Sequence, residues 1–206
     1  MTSIFHRACG LSVALITVGA LASAQESPVN TWSHGTTLNI FAGASSEPHK
    51  GAFTAGGAIG WQLTPAMAIE GTGAWIDNQS SPTWFTAAMK FQARIAPLGG
   101  TNPYVEGGVG LFRSSFDAGD LNVPEFYRKR MVDNPGTSMM SHTFTDPTFA
   151  YGAGLNIVAT RHIAIRPAAE FTTVFRNHDT LTMMAGVVRV AYHFENHPVT
   201  PTGKTR

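Results

Sequence analysis

Leu181-Thr182-Met183-Met184-Ala185-Gly186-Val187-Val188-Arg189-Val190-Ala191-Tyr192-His193-Phe194 alternates in character. Met184, Val188, Val190, Tyr192 and Phe194 share one parity, and Arg189 and His193 share the other. Successive side chains of a β-strand leave opposite faces, so this is a two-faced strand, greasy on one side and ionic on the other. Three further segments read the same way. Ile163, Ile165, Ala169, Phe171 and Phe175 oppose Arg166, Glu170 and Thr172. Phe85, Met89, Phe91 and Ile95 oppose Lys90, Gln92 and Arg94. Phe53, Ala55, Ile59, Trp61 and Leu63 oppose Thr54, Gly56, Gly60 and Gln62.

Outward from these, glycine, proline, asparagine and aspartate punctuate eight strand-like segments. They run Thr36–Ala44, Ala52–Leu63, Met67–Asp77, Trp84–Ala96, Pro103–Ser114, Thr148–Ala159, His162–Arg176 and Leu181–Phe194. Several exceed the ~5–6 residues common in soluble strands and reach the ~9–11 of a tilted membrane-crossing strand. Thr64-Pro65-Ala66, Pro97–Asn102 and Thr160-Arg161 are tight links. Ser45–Gly51, Asn78–Thr83, Ser115–Pro147 and Asn177–Thr180 are mostly polar, and one is very long. Short turns at one end and variable loops at the other are what an up-and-down membrane barrel requires.

Composition narrows the class. The chain has 206 residues, 14 Lys+Arg against 13 Asp+Glu, and only 13% charged residues. A balanced charge provides no footprint for nucleic acid, and 43% hydrophobic residues argue against wholesale disorder. One cysteine, Cys9, excludes a disulfide framework and a thiolate zinc site. Residues 1–24 read as a secretory signal peptide: His6-Arg7, an apolar run from Leu11 to Leu21, and the small-residue site Ala22-Ser23-Ala24. Cleavage after Ala24 removes Arg7 and leaves 13 basic against 13 acidic residues. Residues 25–35 form a polar lead-in, 36–194 the β domain, and 195–206 a polar tail. No run after Leu21 reaches the 18 apolar residues of a membrane helix.

A two-faced closed sheet has two solutions. A soluble lipocalin-like barrel puts the apolar face in its lumen; an outer-membrane barrel does the reverse. Three features favour the second. The polar face is thinned out with Gly, Ala and Thr, as a narrow lumen needs. Its charges nearly balance, Glu70, Glu106 and Glu170 against Lys90, Arg94, Arg166 and Arg189. Aromatics sit near strand ends (Trp61, Trp75, Trp84, Tyr104, Phe175, Tyr192 and Phe194), where interfacial girdles belong. The expected fold is all-β: a closed antiparallel up-and-down transmembrane barrel of about eight strands.

Gly60-Trp61-Gln62-Leu63-Thr64-Pro65, followed by Met67-Ala68-Ile69-Glu70-Gly71, resembles a hairpin of the small OmpA-like outer-membrane β-barrel proteins. Pro103-Tyr104-Val105-Glu106-Gly107-Gly108-Val109-Gly110 resembles their fifth strand. Val190-Ala191-Tyr192-His193-Phe194 resembles their closing strand, which the barrel-assembly machinery reads. The likeness covers roughly Thr36 to Phe194; the chain departs from it in running on from Glu195 to Arg206, and it leaves no length for an appended peptidoglycan-binding domain. The resemblance implies export through the Sec route, escort by periplasmic chaperones, and a monomer among the lipids and lipopolysaccharide of the bacterial outer membrane. Tyr192 and Phe194 then serve as the assembly signal.

About eight strands enclose only enough space for side chains, so a filled lumen is expected. Burying any one ion unpaired is expensive, which predicts pairing of Glu70, Glu106 and Glu170 with Lys90, Arg94, Arg166 and Arg189. Such a cluster would make a structural plug; rearrangement of its pairs would make a narrow channel. Some similar barrels modify lipid A, and nucleophilic catalysis would need a hydroxyl beside its base. Ser141-His142 and His178-Asp179 are the only candidate pairs, neither in a motif. The eight histidines lack ligand spacing, so no metal, cofactor or enzymatic role is expected. Gly107-Gly108-Val109-Gly110 reads as strand glycine that permits close contact and bending.

Ser115–Pro147, some 30 residues, is too long for an incidental link. It holds Phe126, Tyr127, Arg128, Lys129 and Arg130, and later Met139-Met140. Pro124 starts and Asn134-Pro135 stop an expected helix over Val123–Asp133. The basic triplet Arg128, Lys129, Arg130, with Arg113 on the apolar face nearby, suits lipopolysaccharide phosphates.

Overall fold

The computed structural model describes residues 34–46, 51–77, 83–95, 101–116, 127–128, 142–160, 162–176 and 179–195. The expected signal peptide, most of the polar lead-in, and Lys129, Arg130, Ser141, His178 and the tail beyond Glu195 lie outside them. Eight strands follow in order: β1 (Gly35–Ser46), β2 (Gly51–Thr64), β3 (Met67–Asp77), β4 (Thr83–Arg94), β5 (Thr101–Phe116), β6 (His142–Val158), β7 (Ile163–Arg176) and β8 (Asp179–His193). Each pairs antiparallel with its sequence neighbours, and β1 pairs with β8 to close the barrel. Closure leaves no edge strand through the body of the barrel, so the ladder there is satisfied by neighbouring strands without help from water. No helix among the described residues is long and apolar enough to cross a membrane.

Sidedness follows the alternation. Val188 and Phe91 are 54% and 45% exposed on the outer face, while Lys90 and Arg189 are 4% and 0% exposed inside. The outer face carries Ile40, Met89, Val109 and Leu111, all more than half exposed. This inside-out pattern excludes the lipocalin-like solution, in which greasy side chains would fill the lumen. Trp61, Trp75, Phe175, Tyr192 and Phe194 face outward as expected of a girdle. Trp84 and Tyr104 do not: each is 1% exposed, inside the barrel. Their parity decides this, since Trp84 shares a face with Lys90 and Tyr104 with Glu106.

β5 and β6 run past their expected ends toward the long connection. β5 continues to Phe116 and β6 begins at His142, so Pro147 lies within a strand. Pro147 is opposite Leu111 on β5, but β6 pairs with β7 only from Thr148 onward. A proline without an N–H is tolerated where one flank of the ladder is unpaired. Of the expected helix over Val123–Asp133, Tyr127 and Arg128 are described, and both are helical.

The strands approach closely where glycine allows it. A Cβ on Gly108 would meet the Met89 carbonyl and the Lys90 backbone of β4. At the seam, Gly35 has φ of 126°, a region L side chains rarely adopt. Beside it the Glu195 carboxylate accepts the Thr36 N–H at 2.8 Å, and Phe194 N donates to Thr36 O at 3.1 Å.

Candidate functional site in the barrel lumen

The ionic side chains of the lumen are inward positions of strands, so ring closure brings together residues far apart in sequence. Lys90 on β4 places its Nζ 2.8 Å from Glu106 Oε1 (β5) and 2.6 Å from Glu170 Oε2 (β7). Arg189 on β8 bonds Glu70 on β3, and its second terminal nitrogen lies 2.5 Å from Glu170 Oε1 and 3.3 Å from Glu106 Oε1. Arg166 reaches Glu70 Oε2 at 3.5 Å and donates from Nε to Asn156 Oδ1 at 2.7 Å. Asn39 Nδ2 adds a 2.7 Å bond to Glu70 Oε2. Three carboxylates thus face three cations, and their formal charge is zero. Each carboxylate is shared between two cations, which is how buried ions are tolerated at low dielectric.

Arg94 is the exception among the expected members. It pairs with no carboxylate in the cluster; its terminal nitrogens donate to Pro65 O at 2.9 Å and Gln62 Oε1 at 2.7 Å. It is the last residue of β4, beside the tight Thr64–Met67 turn, so exposed turn carbonyls are nearer than the mid-barrel carboxylates. Gln62 in turn donates to Thr64 O and Met67 O. Gln92 and Asn102 have buried amides without a hydrogen-bond partner among the described residues.

Toward the end that carries the long connection the lumen turns apolar. Ile76, Trp84, Phe112, Phe116, Tyr127, Val174, Leu181 and Met183 form one buried cluster. Tyr127, the only one of these outside a strand, stacks on Phe144 at 5.1 Å and lies 5.0 Å from Phe116. Its hydroxyl donates to Asp146 Oδ2 at 3.2 Å, and the Arg176 guanidinium bonds the same oxygen at 3.1 Å while lying 4.3 Å over Phe144. Burial pushes the Tyr127 phenol above its ordinary range, and the Asp146 charge pushes the same way. The Asp146–Arg176 pair, Asn39 and Asn156 went unread in the sequence. Inward parity would have found Asn39 and Asn156, whereas Asp146 lay in what reads as loop.

Arg113 is exposed on the outer face of β5, opposite Phe85 and Thr145, and Arg128 is exposed. Tyr192 stacks on His162 at 5.6 Å and meets Phe194 edge-on at 5.4 Å. Of the candidate catalytic pairs, Asp179 is an exposed strand end, and its neighbour His178 and Ser141 lie outside the described residues. Among the described residues no group of three His, Cys, Asp or Glu could hold a metal ion.

The profile of a family described as "Outer membrane protein beta-barrel domain" matches residues 11–194. No curated protein matches the chain. Among solved structures, Neisserial surface protein A is similar at a TM-score of 0.57 and 10% identity, over 77% of this chain and 96% of that one. The N-terminal β-barrel domain of Pseudomonas aeruginosa OprF is similar at a TM-score of 0.50 and 15% identity, over 78% and 100%. At such identities the likeness is one of fold.

Proposed function

Since the chain belongs to the outer-membrane-protein β-barrel domain family, we propose that it is a structural and surface-contact protein of the bacterial outer membrane, non-enzymatic, with a lumen plugged by its ionic cluster. The observation that carries this reading is the mutual compensation of Glu70, Glu106 and Glu170 by Lys90, Arg166 and Arg189. A plug made of shared ion pairs resists opening, because separating any pair leaves buried charges with less compensation. The chain is exported with cleavage after Ala24, handed by periplasmic chaperones to the barrel-assembly machinery through Tyr192 and Phe194, and inserted as a monomer. Its loop end touches lipopolysaccharide phosphates through Arg113, Arg128, Lys129 and Arg130.

Two measurements test this. Fractionation should recover the protein with the outer membrane, with heat-modifiable migration on gels; recovery in the soluble periplasm without detergent defeats the reading. Planar-bilayer recording of the purified protein should show no ion conductance. Steady conductance would favour the narrow channel.

A further inference from the structure

Toward the end of the barrel that carries the short turns, the lumen is lined by polar side chains without an acid among them. Gln62, Gln92, Arg94, Asn102, Asn156 and His193 are inward positions of β2, β4, β5, β6 and β8, each 8% exposed or less. Among the described inward residues, Glu70, Glu106 and Glu170 are matched by Lys90, Arg166 and Arg189, and Asp146 is matched by Arg176. Arg94 is left over, one positive charge in excess. Glu195, at the same end, is engaged at the β1 backbone through the Thr36 N–H.

The same region holds buried polar atoms left unsatisfied. Among the described residues, Arg94 Nε, Asn156 Nδ2, the Tyr104 hydroxyl and both amide atoms of Gln92 and Asn102 have no hydrogen-bond partner. Arg94 cannot turn its Nε elsewhere, because its terminal nitrogens are tied to Pro65 O and Gln62 Oε1. Asn156 accepts from Arg166 Nε through its Oδ1 at 2.7 Å, which fixes its Nδ2 as a donor. Register brings these groups together. Asn102 is directly opposite Asn156, and Arg94 is directly opposite Tyr104, the next inward residue of β5. Side chains so paired start about 4.5–5.5 Å apart, and diagonal ones about 7–8 Å. The Tyr104 phenol leans over β6, where a Cβ on Gly154 would come 2.7 Å from its hydroxyl, one inward position from Asn156. A half-turn lets a side-chain amide present either N–H or carbonyl, so Gln92 and Asn102 serve as donors where donors are needed.

We propose that this end of the lumen binds one small monovalent inorganic anion, such as chloride, between Arg94, Asn102 and Asn156. A buried cation without a counter-charge and buried amide hydrogens without an acceptor are both unfavourable, and a single anion relieves both. Monovalence follows from the excess of one charge. Small size follows from a lumen that about eight strands leave just wide enough for side chains. The ionic cluster is already neutral without Arg94, so the site does not depend on the plug and stands whether or not the lumen conducts.

The test is urea unfolding of the full chain in detergent, in sodium chloride against sodium gluconate at constant ionic strength. Gluconate is too large for a site between neighbouring strands. An ion that binds only the folded state raises the folded-to-unfolded ratio, so going from about 10 to about 100 mM chloride should raise it severalfold, approaching tenfold for a tight site. Arg94→Gln should lose this chloride dependence, whatever it does to stability itself. Asn102→Asp places a carboxylate beside the site, so it should also ignore chloride and, in gluconate, be at least as stable as the unsubstituted chain. Folding of each variant is checked by heat-modifiable migration. Equal stability of the unsubstituted chain in the two salts, or a chloride dependence that persists in either variant, means that water alone meets these groups and overturns the inference.

Discussion

Arg189 on β8 and Glu70 on β3 meet across the barrel axis although 119 residues separate them in the chain. Neither is near the other in the ladder, since Arg189 lies beside Phe41 and Arg166, and Glu70 beside Gly60 and Lys90. Their contact exists only in a closed ring. Glu70→Gln should therefore destabilise the barrel by about 3–5 kcal/mol, because Arg189 and Arg166 stay buried with less compensation. Urea unfolding followed on gels measures this. Adding Arg189→Met should recover part of the loss, and the double-mutant cycle should show strong coupling.

Lipid exposure of the outer face makes a second expectation. Val109, 66% exposed and in the interior of β5, should tolerate alanine. Val109→Arg should cost about 2–4 kcal/mol in lipid vesicles if it lies near the bilayer midplane. Equal stability of the arginine and alanine variants would contradict the outward orientation of this face.

The tryptophans divide by environment. Trp61 and Trp75 are 47% and 43% exposed on the lipid face, and Trp84 is enclosed against Phe112 at 5.5 Å. In single-tryptophan variants, brominated lipids should quench Trp61 and Trp75 strongly and Trp84 weakly. Strong quenching of Trp84 would return it to the girdle.

Glycine at two adjacent positions of β5 has unequal reasons to be there. Gly108→Ala places a methyl group on the Met89 carbonyl and should cost about 1–3 kcal/mol, the range of overpacking. Gly107→Ala meets nothing nearer than Phe149 Cζ at 4.0 Å and should stay within about 0.5 kcal/mol. Paired unfolding curves decide it.

The Tyr127 phenol is held above its ordinary range by burial, so the docked state favours the neutral form. The sign follows from linkage: that preference is fully present below the free phenol value of about 10 and is lost as pH rises through the higher docked value. Phenolate absorbance of the folded protein should show late-titrating tyrosine, and Tyr127→Phe should reduce that late component.

The barrel and its sidedness were legible because a period of two leaves a strong trace in strands such as β4 and β8. Membership of Lys90, Arg166 and Arg189 in one cluster followed from parity and charge balance. Which carboxylate meets which cation did not, because register across the closed sheet depends on strand stagger. Arg94 misled because parity fixes the face and not the depth along the axis. Trp84 and Tyr104 misled in the opposite way: a place near a strand end suggested the girdle, whereas parity puts both inside. The outer reach of β6 was hidden by Pro147, whose cost vanishes on a half-paired strand.

The Glu195 carboxylate on the Thr36 N–H completes the ring with a side chain. A fastening built that way does not depend on a free chain end. Reporters or affinity handles grafted downstream of Glu195 therefore leave the last stitch of the sheet in place, and Glu195→Ala, which removes the acceptor, is the substitution that would loosen it.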